Sequence, residues 1–180
     1  MTLLSCGPKQ LMCALRSAAI IEAMMTDEDW LRRFHFTENW KIGIDMANFS
    51  NGSGDDMYIL SGNSGVIIKG FDHESDVSPY MRDDHSPWPG MYDGVPDDLM
   101  RYMDDASICN QDVTFLHWFS FDSNEWRRGP VEFPNGITDG SEWMIPLIPL
   151  TAEDYIRDAA NYFEGVEQKV QISVIRKYFG

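Results

Sequence analysis

The sequence predicts an α+β fold in one domain, residues 1–180, with an antiparallel sheet and helices at both chain ends. Three observations point there. Apolar residues recur at helical spacing near both ends, the middle carries short runs rich in β-branched and aromatic residues, and those runs do not alternate regularly with helices. A length of 180 residues suits a single core, and a hydrophobic share of 43% with 13% aromatics is that of a globular chain.

From Lys9 to Met25, Leu11, Leu15, Ala18, Ala19 and Met25 keep helical spacing, with Pro8 suited to the first turn. Thr26-Asp27-Glu28-Asp29 has the form of a capping box, so a second short helix is expected, with Trp30, Leu31 and Phe34 along one side. Trp40 to Ile44 reads as a short strand and Asn48 to Asp56, NFSNGSGDD, as an exposed loop. Met57 to Leu60 and Val66 to Phe71 flank SGNSG, the pattern of a hairpin with a longer loop.

Asp72 to Gly94 reads as a long irregular stretch whose aromatic content is too high for a passive linker. Pro96 then opens a helix with Leu99, Met103 and Ala106 on one face. Val113 to Phe121, VTFLHWFSF, alternates as a strand, followed by a turn towards Trp126. Trp143 to Leu150 is apolar enough for a strand, but Pro146 and Pro149 cannot donate to a ladder, which predicts an edge or a packed extended segment. Thr151 caps a helix expected to reach about Glu164, with Leu150 and Tyr155 as a staple, Ile156, Ala159, Ala160 and Phe163 inward, and Gly165 at its end. Lys169 to Phe179 fits either a helix or a strand, and we read it as a short helix.

Charge bounds the partners. With 14 basic and 29 acidic side chains the net charge is −15, which repels nucleic acid and anionic membrane surfaces and attracts a basic protein or a cation. Acidity also serves solubility. Leu3-Leu4-Ser5-Cys6 mimics the end of a bacterial lipoprotein signal, but no cationic lead or sufficient apolar stretch precedes it, and Lys9, Arg16 and Glu22 interrupt the apolar residues beyond it. Cys6, Cys13 and Cys109 have no metal-binding spacing and suit reduced thiols. A soluble, cytoplasmic protein with no cofactor is expected.

The stretch Gly70 to His85, GFDHESDVSPYMRDDH, holds the candidate metal ligands Asp72, His73, Asp83 and His85. Such a site would support a metal-assisted hydrolase, in which a cation polarises the substrate and a carboxylate takes a proton. The spacing matches no HExxH pattern, and NGSGDD does not complete an EF-hand. The competing reading is structural: Asp72 and Ser75 lock the strand exit by bonding nearby backbone, and His73 bonds a carbonyl or carboxylate.

Other chemistry has less support. There is no GxSxG elbow and no glycine-rich phosphate cradle followed by lysine. His117 reads as a core histidine with a hydrogen-bond partner, and the paired aspartates as a solvated surface. Tyr80, Trp88, Tyr92 and Trp126 are the candidate binding residues. Exposed among acids they would form aromatic anchors in an anionic rim, and turned inward they would plug the core beneath their own loop.

GFDHES, SPY, WPG, WRRGPVEFP and DGSEW resemble a set of small acidic bacterial proteins, over about Gly54 to Trp143. That resemblance implies kinship and no particular activity. VPDDLMRYM, a proline-opened helix in a small aromatic-rich α+β chain, is more faintly similar to the SMI1/KNR4-type immunity proteins, although the proline-led helix expected before the strands is missing. This second likeness implies a non-catalytic protein that binds and neutralises a toxin-like partner.

Overall fold

Helix α1, Pro8–Met25, begins on a proline whose missing N–H costs nothing in a first turn. Leu11, Leu15, Ala18, Ile21 and Met25 are buried along its inner side. The computed structural model describes residues 6–163 and 170–180.

After α1 the expected second helix is a single 3₁₀ turn, Asp29–Leu31, and Phe34 instead opens strand β1, Phe34–Lys41. The cause lies in Glu22, whose buried carboxylate accepts the backbone N–H groups of Arg33 at 2.5 Å and Phe34 at 3.0 Å and so holds the chain extended. Trp30 is 74% exposed, and its indole N–H donates to Glu28 Oε2 at 2.9 Å.

Five further strands complete the set: β2 Ile44–Ser50, β3 Asp56–Gly62, β4 Gly65–Phe71, β5 Phe115–Ser120 and β6 Glu125–Arg128. Among the described residues they form one sheet in chain order, every neighbouring pair antiparallel. The fold is therefore α+β, as predicted. Trp40 to Ile44 is not a strand of its own: it spans the β1–β2 turn, where Gly43 takes φ +76°. Asn48 to Ser50 belong to β2, which shortens the expected loop. The β3–β4 hairpin forms where predicted but is tighter, because Gly62 pairs with Gly65 and leaves only Asn63 and Ser64 in the turn.

Strands β4 and β5 are buried throughout because both faces of the sheet are covered. On one face α1 packs with helix α4, Ala152–Tyr162, and the C-terminal helix α5, Ile172–Phe179, over Phe49, Ile59, Ile68 and Phe115. The other face, with Leu60, Ile67, Leu116 and Trp118, lies under Val77, Met91, Leu99, Met103 and Ile108 from the segment between β4 and β5. The helix expected after Pro96 breaks into α2, Asp97–Met100, and two 3₁₀ turns, Arg101–Met103 and Ala106–Ile108. Asp105 accepts Ser107 N–H there, and this local bond competes with a continuing helix and leaves Ala106 exposed.

The segment around Trp143 is helical rather than extended, with α3 at Ser141–Met144 and a 3₁₀ turn at Ile145–Leu147. Pro146 suits a first turn, where its missing N–H has no role. Thr151 caps α4 as predicted, accepting Asp154 N–H at 3.1 Å, while Ala160 points outward. Glu164, Gly165 and Lys169 lie outside the described residues; α5 is a helix, as read from the sequence. Among the described residues no helix is long and apolar enough to cross a membrane.

Candidate functional site

The chain leaves β4 at Phe71 and immediately binds itself down. Asp72 N–H donates to Thr114 Oγ1 at 3.0 Å, Asp72 Oδ1 accepts Glu74 N–H at 3.1 Å, and Asp72 Oδ2 accepts the Trp143 indole N–H at 2.9 Å. Gly140, at φ +85°, lets the DGSEW segment approach so closely that a Cβ there would strike the Asp72 carboxylate. Two sequence motifs far apart in the chain thus meet at one aspartate. Ser75 Oγ donates to Thr138 C=O at 2.8 Å and accepts Val77 N–H at 3.1 Å, and these bonds fix the next turn.

His73 pairs with Asp55, a residue in a stretch that reads only as a turn. Asp55 Oδ1 accepts both the backbone N–H of His73 at 2.9 Å and a bond from His73 Nδ1 at 2.7 Å, and Asn51 donates to Oδ2 at 2.6 Å. Burial opposes ionisation of Asp55, but the bonds from His73 and Asn51 outweigh it and hold the carboxyl below its ordinary range. The same pairing raises the His73 imidazole above its usual value.

Asp55, Asp72 and His73 bring one ligand atom each within 4.8 Å of one another. A cleft of about 320 Å³ opens beside the two carboxylates, lined also by Asp76, Thr138 and Trp143. Among the described residues no group of three or more ligating side chains includes Asp83 or His85. Asp84, between them, is engaged by Ser86 and by the Arg82 guanidinium, which hold it at about 2.

The four candidate binding aromatics do not share one surface. Tyr80 is 61% exposed. Its ring meets Phe71 edge-on at 6.0 Å and lies 6.2 Å from the His85 ring, and its hydroxyl donates to Asp112 at 2.8 Å. Trp88 and Tyr92 are half-buried against the core of that same sheet face. Trp88 meets Phe133 edge-on at 5.6 Å and donates to Glu132 C=O, and the Tyr92 hydroxyl donates to Asn110 C=O at 2.5 Å. Trp126 packs with the core of the opposite face, edge-on to Phe119 at 5.5 Å, and donates to Cys6 C=O at 3.2 Å.

Comparison with known proteins finds no matching family model, curated protein or solved structure. The chemistry of the site therefore rests on its own geometry.

That geometry holds residues the sequence did not single out and revises the reading of His117. Met81, beside Tyr80, is 66% exposed. Lys69 is 1% exposed on β4, its ammonium 3.6 Å from Asp56 and 5.2 Å from the Tyr58 ring, and burial lowers its pKa while raising that of Asp56. His117 is buried as expected, but among the described residues neither ring nitrogen has a hydrogen-bond partner, which corrects the expectation of a bonded core histidine. Its neighbours across the ladder, Ile68 and Arg128, offer it no acceptor at hydrogen-bonding distance.

Proposed function

We propose that this protein is a non-catalytic binding module that recognises a basic partner protein through the acidic face carrying Tyr80 and Met81. One observation carries the reading. Tyr80 presents a largely exposed ring that is nevertheless held by Phe71 and Asp112, so little conformational entropy remains to be lost when a partner covers it. A prearranged aromatic next to an exposed methionine is the composition of an interface centre. The net charge of −15 supplies attraction for a basic partner. Neutralising a toxin-like protein would be one such role, the one implied by the likeness to immunity proteins.

The test is capture of partners by the wild type and by the Tyr80→Ser, Met81→Ser double variant, at about 0.05 M and about 0.5 M salt. The reading expects a defined partner that is lost in the variant and weakened by salt. Capture unaffected by the double substitution would overturn it.

A second reading draws on the convergence of Asp55, Asp72 and His73, which would hold a divalent cation and make the cleft a metal-assisted hydrolytic site. Both carboxylates already accept protein N–H groups, which compete with an ion, so this reading ranks behind the first. Calorimetric titration with zinc and with manganese distinguishes them: stoichiometric binding that disappears in Asp55→Asn supports the metal site, and no uptake removes it.

A further inference from the structure

A pocket of about 450 Å³ opens where the start of α1 meets the turn between β5 and β6. Pro8 and Met12 line it from the helix, and Phe119 and Phe121 from β5 and its exit, so most of its wall is apolar. Phe119 is buried, whereas Phe121 is 49% exposed and meets the Phe119 ring edge-on at 5.9 Å. A space of this size, walled by rings and a pliable thioether, suits a small apolar molecule.

Charge narrows the choice. Lys9 is the one charged residue among the liners, and it pairs with no carboxylate among the described residues, although the chain carries 29 acids against 14 basic groups. Helix α1 begins beside it on Gly7 with no side-chain cap and no acid in its first turn, so no side chain of that turn offsets the positive end of the helix. An apolar wall with a cation as its only charge calls for a ligand with an apolar body and an anionic head.

We propose that this pocket binds a monocarboxylate with an unbranched apolar tail, of the medium-chain fatty acid class, its tail on Met12, Phe119 and Phe121 and its carboxylate at Lys9. The net charge of −15 opposes any anion at long range, so burial of the tail has to exceed that repulsion. Each methylene that enters the pocket tightens binding by up to about fourfold, which excludes short acids and admits longer ones. Neither Tyr80 nor Met81 lines the pocket, so its failure would leave the partner-binding reading untouched.

The chain carries its own probe. Cys13 lines the pocket and is exposed, Cys109 is exposed elsewhere, and Cys6 is buried. Alkylation by iodoacetamide, followed site by site by mass spectrometry, reads the pocket and an internal control together. Decanoate at about 1 mM is expected to slow Cys13 about fivefold and leave Cys109 unchanged, with octanoate weaker and hexanoate without effect. Lys9→Gln, at an exposed position, is expected to weaken decanoate about threefold and leave 1-decanol as it was. Phe121→Ser is expected to weaken both about tenfold. An unslowed Cys13, equal slowing at Cys109, no dependence on chain length, or decanoate binding indifferent to Lys9→Gln would each overturn the proposal. So would protection by phosphatidylcholine vesicles and not by decanoate, which would assign the pocket to a membrane. Shielding of Cys13 without ligand that grows with protein concentration, or that vanishes when residues 2–5 are deleted, would give it to a second copy or to the chain's own start, and would overturn the proposal as well.

Discussion

The hydroxyl of Tyr80 donates to Asp112 Oδ1 at 2.8 Å, joining the long segment after β4 to the residue two before the Thr114 that anchors Asp72. The bond lies at the surface, yet it orients a ring that would otherwise swing freely. Hydrogen bonding to Asp112, followed by its negative charge, raises the Tyr80 phenol above its ordinary pKa. Asp112→Asn is expected to bring that titration back towards the free-tyrosine value, read from the ring-carbon shift of Tyr80 in a pH series. A phenol whose titration does not move would show that the carboxylate does not hold the ring.

His117 makes stability depend on pH. Burial lowers its pKa to about 4, with Asp139 pulling it up and Arg128 pushing it down. The unfolded chain binds a proton below about 6.5 that the native ring refuses until about 4, so this contribution is full at neutral pH and is lost as pH falls through that window. Between pH of about 7 and about 5 the loss is about 2 kcal/mol. His117→Leu is expected to flatten that part of the profile in urea unfolding. An unchanged slope would contradict the role given to this ring.

Glu22 and Arg33 form the buried ion pair that turns the chain from α1 into β1. Arg33 Nε and Nη2 donate to Glu22 Oε1 at 3.1 and 3.0 Å, and Nη1 donates to Asp158 at 2.5 Å. Glu22→Ala leaves the guanidinium short of one carboxylate and two backbone N–H groups without an acceptor. A loss of about 3–5 kcal/mol in chemical denaturation is expected.

Gly70 stands opposite Phe115 in the β4–β5 ladder, and the phenyl ring lies where a Cβ would be. Gly70→Ala must displace that ring in a close-packed core. A loss of about 1–3 kcal/mol is expected from the unfolding midpoint, and Gly70→Ala combined with Phe115→Leu is expected to recover part of it.

These sites show what could be read from the chain and what could not. The α1 helix and β5 strand were legible because one side chain in three or four, or every second one, is apolar over enough residues to fix the period. Thr26 to Asp29 carries the polar signal of a helix start, but the outcome was decided by Glu22 reaching Arg33 and Phe34, a contact eleven residues back that local pattern does not encode. Pro146 argued against a ladder and left open the helical turns that formed.

At the site, Asp72 and His73 could be singled out as ligating residues, but their partner Asp55 is 18 positions from His73 and lies in a stretch that reads only as a turn. Tyr80 could be named as an anchor from composition. That Asp112 orients it, and that Trp126 belongs to the opposite face, depends on strand pairing and the path of the covering segment.

The most direct test of the central claim places a photo-crosslinking phenylalanine analogue at position 80 in the living cell, with the same analogue at Arg157, 73% exposed on α4, as control. The binding reading expects one adduct of defined mass at position 80, carrying a basic protein and missing from the control. Identical adducts at both positions, or none at position 80 beyond background, would contradict it.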